Sequence, residues 1–268
     1  MLQVIINADD FGLTDGVTSG IVHAIQQGVV TSTTAMACVP GAADRLRRYA
    51  PQIPQRIGAH LQLTTGRPLS HPSLIPTLCA ANGNFHESKS SLAKASIREI
   101  LIEWHAQYQF LLNLGIQPTH IDTHHHVHKL PNVFEAFCEM TNRLSIPARA
   151  VTPAMRLSLQ QACVPCPDQM ILAFYGDALD IDTFLSLTKG PLQSVSESTV
   201  VEIMCHPGYS CASLLKLSKY THQRDRELAI LCSPQLSQQL SSHGITLSSY
   251  EVLHNIRPLT NASHIQSA

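Results

Sequence analysis

Short β-branched runs alternate with longer stretches of helical period along most of the chain. Residues 4–8 form a compact apolar run and read as a first strand. Asp15–Gln27 follows, with Val17, Ile21, Ala24 and Ile25 on one stripe and Gly28 as its stop, the spacing of an amphipathic helix. Residues 30–38 and 56–64 read as the next strands, with a helix over Ala42–Tyr49 between them that Pro51 and Pro54 end. Residues 65–94 carry Pro68, Pro72, Pro76 and Gly83 and no clear period, which predicts a long excursion of the kind that is often functional. The strongest helical signal is 96–114. Ser96 and Glu99 have capping-box spacing, Ile97, Ile100, Leu101, Trp104, Tyr108 and Leu111 share a stripe, and Gly115 stops it.

Residues 119–123 and 148–152 read as strands around a helix over Pro131–Leu144. Helices are expected near 155–162 and 180–187, then a strongly apolar strand over Val200–Cys205, helices over 220–231 and 234–243, and a last strand over 245–249. This β-α alternation predicts an α/β fold with parallel strands and outer helices. At this length a distorted, TIM-barrel-like (β/α) barrel is the leading expectation and an open doubly wound sheet the second; no GxGxxG supports a dinucleotide site. One domain is expected over residues 1–259, with a flexible polar tail over 260–268.

Composition narrows the function classes. With 44% hydrophobic and 14% charged residues, the 268-residue chain can bury a sizeable core and is not of disordered type. Eighteen basic against nineteen acidic residues leave a net charge of -1, without the footprint of a nucleic-acid binder. No run of about 18 apolar residues exists, so no membrane partner is expected. The first residues lack a basic leader pattern, and a cytoplasmic protein is expected. The eight cysteines are scattered; Cys163 and Cys166 form a CxxC without the second pair of a zinc ribbon, so reduced thiols are expected. Histidine is the unusual component: there are fifteen, five of them from His120 to His128. Histidine is the commonest metal ligand and titrates near neutrality.

Four segments place this chemistry at or near predicted strand ends, where α/β sheets bind ligands. Asp9 and Asp10 end the first strand. Two carboxylates aimed into one dry site repel unless a cation lies between them, and neighbours on a regular strand face opposite ways, so a twisted strand end is needed for both to reach one cleft. One could then ligate a metal while the other acts as a base; a solvated turn is the alternative. In the second segment, His120, Asp122, His124 and His126 share a face if the strand stays regular and His125 takes the other. Asp122 could orient a ligand imidazole through its second nitrogen. A surface cluster that binds metal adventitiously is the other reading. His60 lies mid-strand and His206 precedes Pro207; spacing alone decides neither.

The strings INADDFGLTDGV, GVVTSTTAM, GAHLQLTTGRPL, PTHIDTHHHVHKLP and MCHPGY resemble the YdjC-like carbohydrate deacetylases, with the closest likeness to the bacterial chitooligosaccharide branch. The resemblance runs from residue 3 to about 250. It implies a barrel-like fold and one divalent metal ion, magnesium or zinc, held by Asp10, His60 and His124. It implies Asp9 as the base. His206 is expected to protonate the leaving amine, as a catalytic acid. Arg149 is expected to orient Asp9 or hold the substrate, Tyr175 to stack on a sugar ring, and His126 and His128 to line the cleft. The substrate expected is a small amino sugar such as diacetylchitobiose or its phosphate, with no nucleic-acid or membrane partner and a homodimer left open. Deacetylation of another, lipid-linked amino sugar and a His-rich non-catalytic metal-binding protein are the alternatives.

Overall fold

A computed structural model describes residues 2–86, 88–193 and 199–255. The expected tail over 260–268 lies outside them. The parallel strands β1 (Leu2–Phe11), β2 (Ser32–Ala35), β3 (Ile57–Leu61), β4 (Ile121–Thr123), β5 (Gln169–Ile171), β6 (Val200–Cys205) and β7 (Ile245–Leu247) form one sheet. Its order is β4-β3-β2-β1-β6-β5, with β7 on the N-terminal half of β1. The long first strand is therefore the spine: β6 runs along Gln3–Ala8 on one side, while β7 and then β2 share the other. The sheet curls into a half-barrel with helices outside, as the β-α alternation predicts. The longer helices are α1 (Asp15–Gln27), α2 (Ala42–Tyr49), α4 (Ile97–Asn113), α5 (Pro131–Leu144), α6 (Pro153–Gln161), α7 (Ile181–Gln193), α9 (His222–Leu231) and α10 (Pro234–Ser242). Two single-turn helices, α3 (Lys89–Leu92) and α8 (Leu214–Leu217), lie in the loops.

The two faces of the sheet differ in chemistry. Val4, Ile6, Ala8, Ala35, Ile57, Ala59, Leu61, Ile121 and Ile203 belong to one continuous core shared with the helices. Trp104 on α4 meets Phe137 on α5 edge-on at 6.2 Å between ring centres. The alternate residues point into the barrel. Beyond a small apolar plug of Ile5, Val200, Tyr250 and Leu253, they are Asn7, Asp9, Ser32, Thr34, His60, Asp122 and Glu202, all buried. An eight-fold barrel commonly fills this space with branched aliphatics; here it holds a hydrogen-bonded polar network.

Several expectations change. Residues 148–152 make only an isolated parallel bridge, Ile121 to Ala148, before the chain turns into α6 at Pro153. A strand at Gln169–Ile171, unanticipated, pairs with β6 instead. The capping box at Ser96 is not made, because Thr77 captures Glu99 with both its N–H and its hydroxyl at 2.7 Å. β3 ends at Leu61, not at residue 64, which moves His60 to the C-terminal end of its strand. Cys163 and Cys166 are free, the first exposed and the second buried.

Gly58 lets β3 and the entry to β4 approach closely. A Cβ there would lie 2.6 Å from the His120 ring and 2.7 Å from its carbonyl oxygen. Gly58→Ala is expected to lower unfolding stability by about 1–3 kcal/mol, the usual cost of overpacking, in urea denaturation. A variant as stable as the parent would show that the two strands can part there.

Candidate active site

The twisted strand end that two adjacent carboxylates require is present. The pairing of β1 with β2 shifts register between Ala8 and Phe11, and Asp10 sits in the left-handed region at φ 73°. Such a bulge re-aims side chains at a strand end. As a result Asp9 and Asp10 both line the same cleft, of about 410 Å³. The histidine run does not continue β4. The strand stops at Thr123, and His124–Lys129 is a tight turn with His125 and His126 at φ 57° and 49°. His124, His125 and His126 line the cleft. His128 does not: it is fully buried, bonded to Thr123 Oγ1 and laid against Phe137 at 4.8 Å. The expectation that it faces the cleft fails because the turn carries it into the core.

Three donor atoms converge at the floor. Asp10 Oδ1 lies 3.4 Å from His60 Nε2 and 3.2 Å from His124 Nδ1, and the two nitrogens are 3.2 Å apart. Asp10 Oδ1 is buried with no hydrogen-bond partner among the described residues. Its other oxygen accepts from Arg224 Nη2 at 2.6 Å, so one oxygen is held back and one is presented. His60 Nδ1 donates to Asp122 Oδ1 at 2.6 Å, which turns Nε2 toward the cluster. Burial alone would push His60 down, but Asp122 and Asp10 carry it up to about 10. These carboxylates therefore demand a positive charge at this point. One carboxylate and two imidazoles suit a divalent transition metal well. The other candidate group, Asp9, His60 and Asp122, shares His60, and Arg149 already occupies the space beside its two carboxylates.

Arg149 is fully buried, and all three of its side-chain nitrogens are engaged by carboxylates. It makes a two-point contact with Asp9 at 2.7 Å on each side, reaches Asp122 Oδ2 at 2.7 Å and gives two bonds to Glu202 Oε1 at 2.9 and 2.7 Å. No donor is left for a substrate, which corrects that half of the expectation; the contact that orients Asp9 is made. Asn7 adds a further donor to Asp9 Oδ1 at 2.9 Å. Burial would raise the Asp9 carboxyl, but Arg149 outweighs it and holds the group well below the usual range, so it stays ionised.

The facing wall comes from β6 and the loops around it. His206 is the first residue beyond β6 and lines the cleft. Burial pushes its imidazole down to about 4, so it is neutral at rest at pH 7. Tyr175 is 53% exposed and lies flat on Tyr220, with ring centres 4.1 Å apart and planes 10° from parallel. Both rings meet the His206 ring edge-on at 5.6–5.7 Å. Buried Glu227 bonds the His206 backbone N–H and accepts from the Tyr220 hydroxyl at 2.5 Å.

Residues 3–242 match the family model described as YdjC-like protein. The chain belongs to the YdjC-like family. It is 39% identical over 253 residues to a carbohydrate deacetylase of Geobacillus stearothermophilus, covering 94% of this chain and 98% of the relative. It is 36% identical over 259 residues to a chitooligosaccharide deacetylase of Serratia marcescens, covering 93% and 98%. A crystal structure from Enterococcus faecalis V583, of a protein proposed to cleave cellobiose phosphate, superposes with TM-score 0.85 at 35% identity, covering 94% of this chain and 98% of that one.

Sequence reasoning missed Glu202, Arg224, Tyr220 and Glu227. Glu202 carried a signal, a lone acid inside an apolar strand. Arg224 and Glu227 did not, since a charged helix such as His222–Leu231 reads as a solvated face. Removing the Arg149 charge strands three buried carboxylates. Arg149→Met is expected to cost about 3–5 kcal/mol of stability by chemical denaturation, the range for breaking a buried ion pair; a loss under about 1 kcal/mol would show that the carboxylates find other partners.

Proposed function

We propose that this YdjC-like protein is a metal-dependent carbohydrate N-deacetylase. Its substrate is a chitooligosaccharide such as diacetylchitobiose or its phosphate, and its products are acetate and the free amino sugar. The single observation that carries this reading is the convergence of Asp10, His60 and His124 beside a separately held, ionised Asp9. An amide resists water because its carbonyl is a poor electrophile and its amine a poor leaving group. A divalent cation held by Asp10, His60 and His124 supplies Lewis acidity toward the acetyl oxygen and makes a water proton easier to remove. The three donors suit zinc on softness grounds, with magnesium the other candidate.

Asp9 accepts the proton as water adds to the acetyl carbon. The Arg149 contacts and the Asn7 bond fix its carboxylate for that role. The proton then passes from Asp9 to the neutral His206 and on to the nitrogen as the C–N bond breaks. One proton leaves water and one reaches nitrogen, so both groups return to their starting state. An imidazole depressed by burial parts with a proton readily once it has gained one. The exposed face of Tyr175, backed by Tyr220, offers a platform for a sugar ring, and His126 lines the same cleft. A His-rich storage role is disfavoured, because both candidate ligand groups share His60 and describe one location.

Acetate release from diacetylchitobiose is expected to vanish when a chelator removes the metal and to return on adding zinc or magnesium. Unchanged turnover with metal loss verified by elemental analysis overturns the metal role. Asp9→Asn is expected to lower kcat at least about 100-fold while the protein still binds metal, and Asp10→Asn to lose metal affinity. Equal metal loss in both variants would reverse the two assignments.

A further inference from the structure

Glu227 is a buried carboxylate on α9 that the proposed chemistry does not use. Its two oxygens hold two different parts of the cleft wall. Ladder pairing of β6 with β1 ends at Ala8 and Cys205, so the His206 N–H lies just past the sheet, and Glu227 Oε2 takes it. Oε1 takes the hydroxyl of Tyr220, whose oxygen in turn accepts the Gly176 N–H at 3.0 Å. Gly176 follows Tyr175, and the Tyr220 ring supports the Tyr175 ring from below. One carboxylate thus ties the proton-carrying residue to the aromatic platform. One helical turn earlier, Arg224 on the same helix reaches Asp10 Oδ2 at 2.6 Å, and its carbonyl accepts the Gly208 N–H at 3.2 Å. Residues three apart share a helix face. α9 therefore spans from the metal-side carboxylate to the acid-bearing strand end and sets the distance between them.

We propose that Glu227 is the positioning residue that fixes His206 relative to both Asp10 and the sugar ring on Tyr175, so that proton delivery to the leaving nitrogen depends on it. This rests on the reading of His206 as the proton donor. A misplaced acid should matter only where the leaving group needs a proton. An amine does; the phenolate of an activated aryl acetate does not. The test pairs diacetylchitobiose with 4-nitrophenyl acetate on the metal-loaded enzyme.

Glu227→Ala is expected to lower kcat for the amide about 10- to 100-fold while ester turnover stays within about threefold. In a His206→Ala background the same substitution is expected to cost the amide nothing further, the non-additivity of groups that act as a unit. Glu227→Gln, whose carboxamide oxygen can still accept from the His206 N–H, should recover most of kcat. Tyr220→Phe, which removes only the hydroxyl, should raise KM and leave kcat within about threefold. Should Glu227→Ala fail to fold, Glu227→Asp, one methylene too short to reach both donors, carries the same expectations. Equal losses on amide and ester, or a full further loss in the His206→Ala background, overturn the proposal. If His206→Ala itself keeps full amide turnover, the proton-donor reading fails; if it loses turnover and Glu227→Ala does not, only the positioning role fails.

Discussion

Arg149 is the group on which the interior depends. A curled sheet has two faces, and this one spends its outer face on an apolar core and its inner face on polar side chains. Three of those are carboxylates from three strands: Asp9 on β1, Asp122 on β4 and Glu202 on β6. Three buried negative charges within reach of one another cannot persist without a cation among them. Arg149 supplies it, and the planar fork of its guanidinium lets one residue satisfy all three. It enters through the gap between β4 and β5, on a segment that makes a single bridge and then leaves. The site is thus built around a fixed positive charge that never meets the cleft.

That arrangement sorts the carboxylates by role. Asp9 and Asp122 are joined through Arg149, and Asp122 also grips His60. The group that would take a proton and a group that would bind the metal are therefore held by one rigid network. Further out, His120 Nε2 donates to Asn7 Oδ1 at 3.0 Å and lies flat on Tyr250 at 3.6 Å, while the Tyr250 hydroxyl donates to Glu202 at 2.6 Å. The network closes on itself: Tyr250 reaches Asp9 by way of Glu202 and Arg149, and again by way of His120 and Asn7. A carboxylate gripped from both sides cannot swing, and that suits a group that must meet a reacting atom in one geometry. Asp10 stands outside it. Its left-handed backbone turns it out of the strand's alternation, and its separate tether to Arg224 presents one free oxygen.

Local signals carried much of this. Apolar period and Gly and Pro stops placed most helices within a few residues, because an amphipathic stripe is a local property. Asp9 and Asp10 could be picked out because they end an apolar strand and the histidine run because of its density, whereas His60, His124 and His206 were singled out only by the family resemblance. Errors came where a distant partner decides. Glu99 leaves its capping box for Thr77, and the His124–Lys129 turn depends on what surrounds it. A substrate contact stood as one of two readings of Arg149 because a lone arginine at a strand end is ordinarily solvated.

By itself, then, the sequence determined the β-α alternation, the family and the short list of residues able to bind a metal or move a proton. The alternation follows from spacing along the chain, and the family and the short list from the resemblance that its motifs carry. Tertiary structure decided which of them meet. It brought Asp10, His60 and His124 within 3.4 Å of one another, removed His128 and Arg149 from the cleft, and added Arg224 and Glu227 from a helix with no local sign of function. The reason is physical: a carboxylate's role is set by its neighbours in a low-dielectric interior, and those neighbours come from strands and helices far apart in the chain.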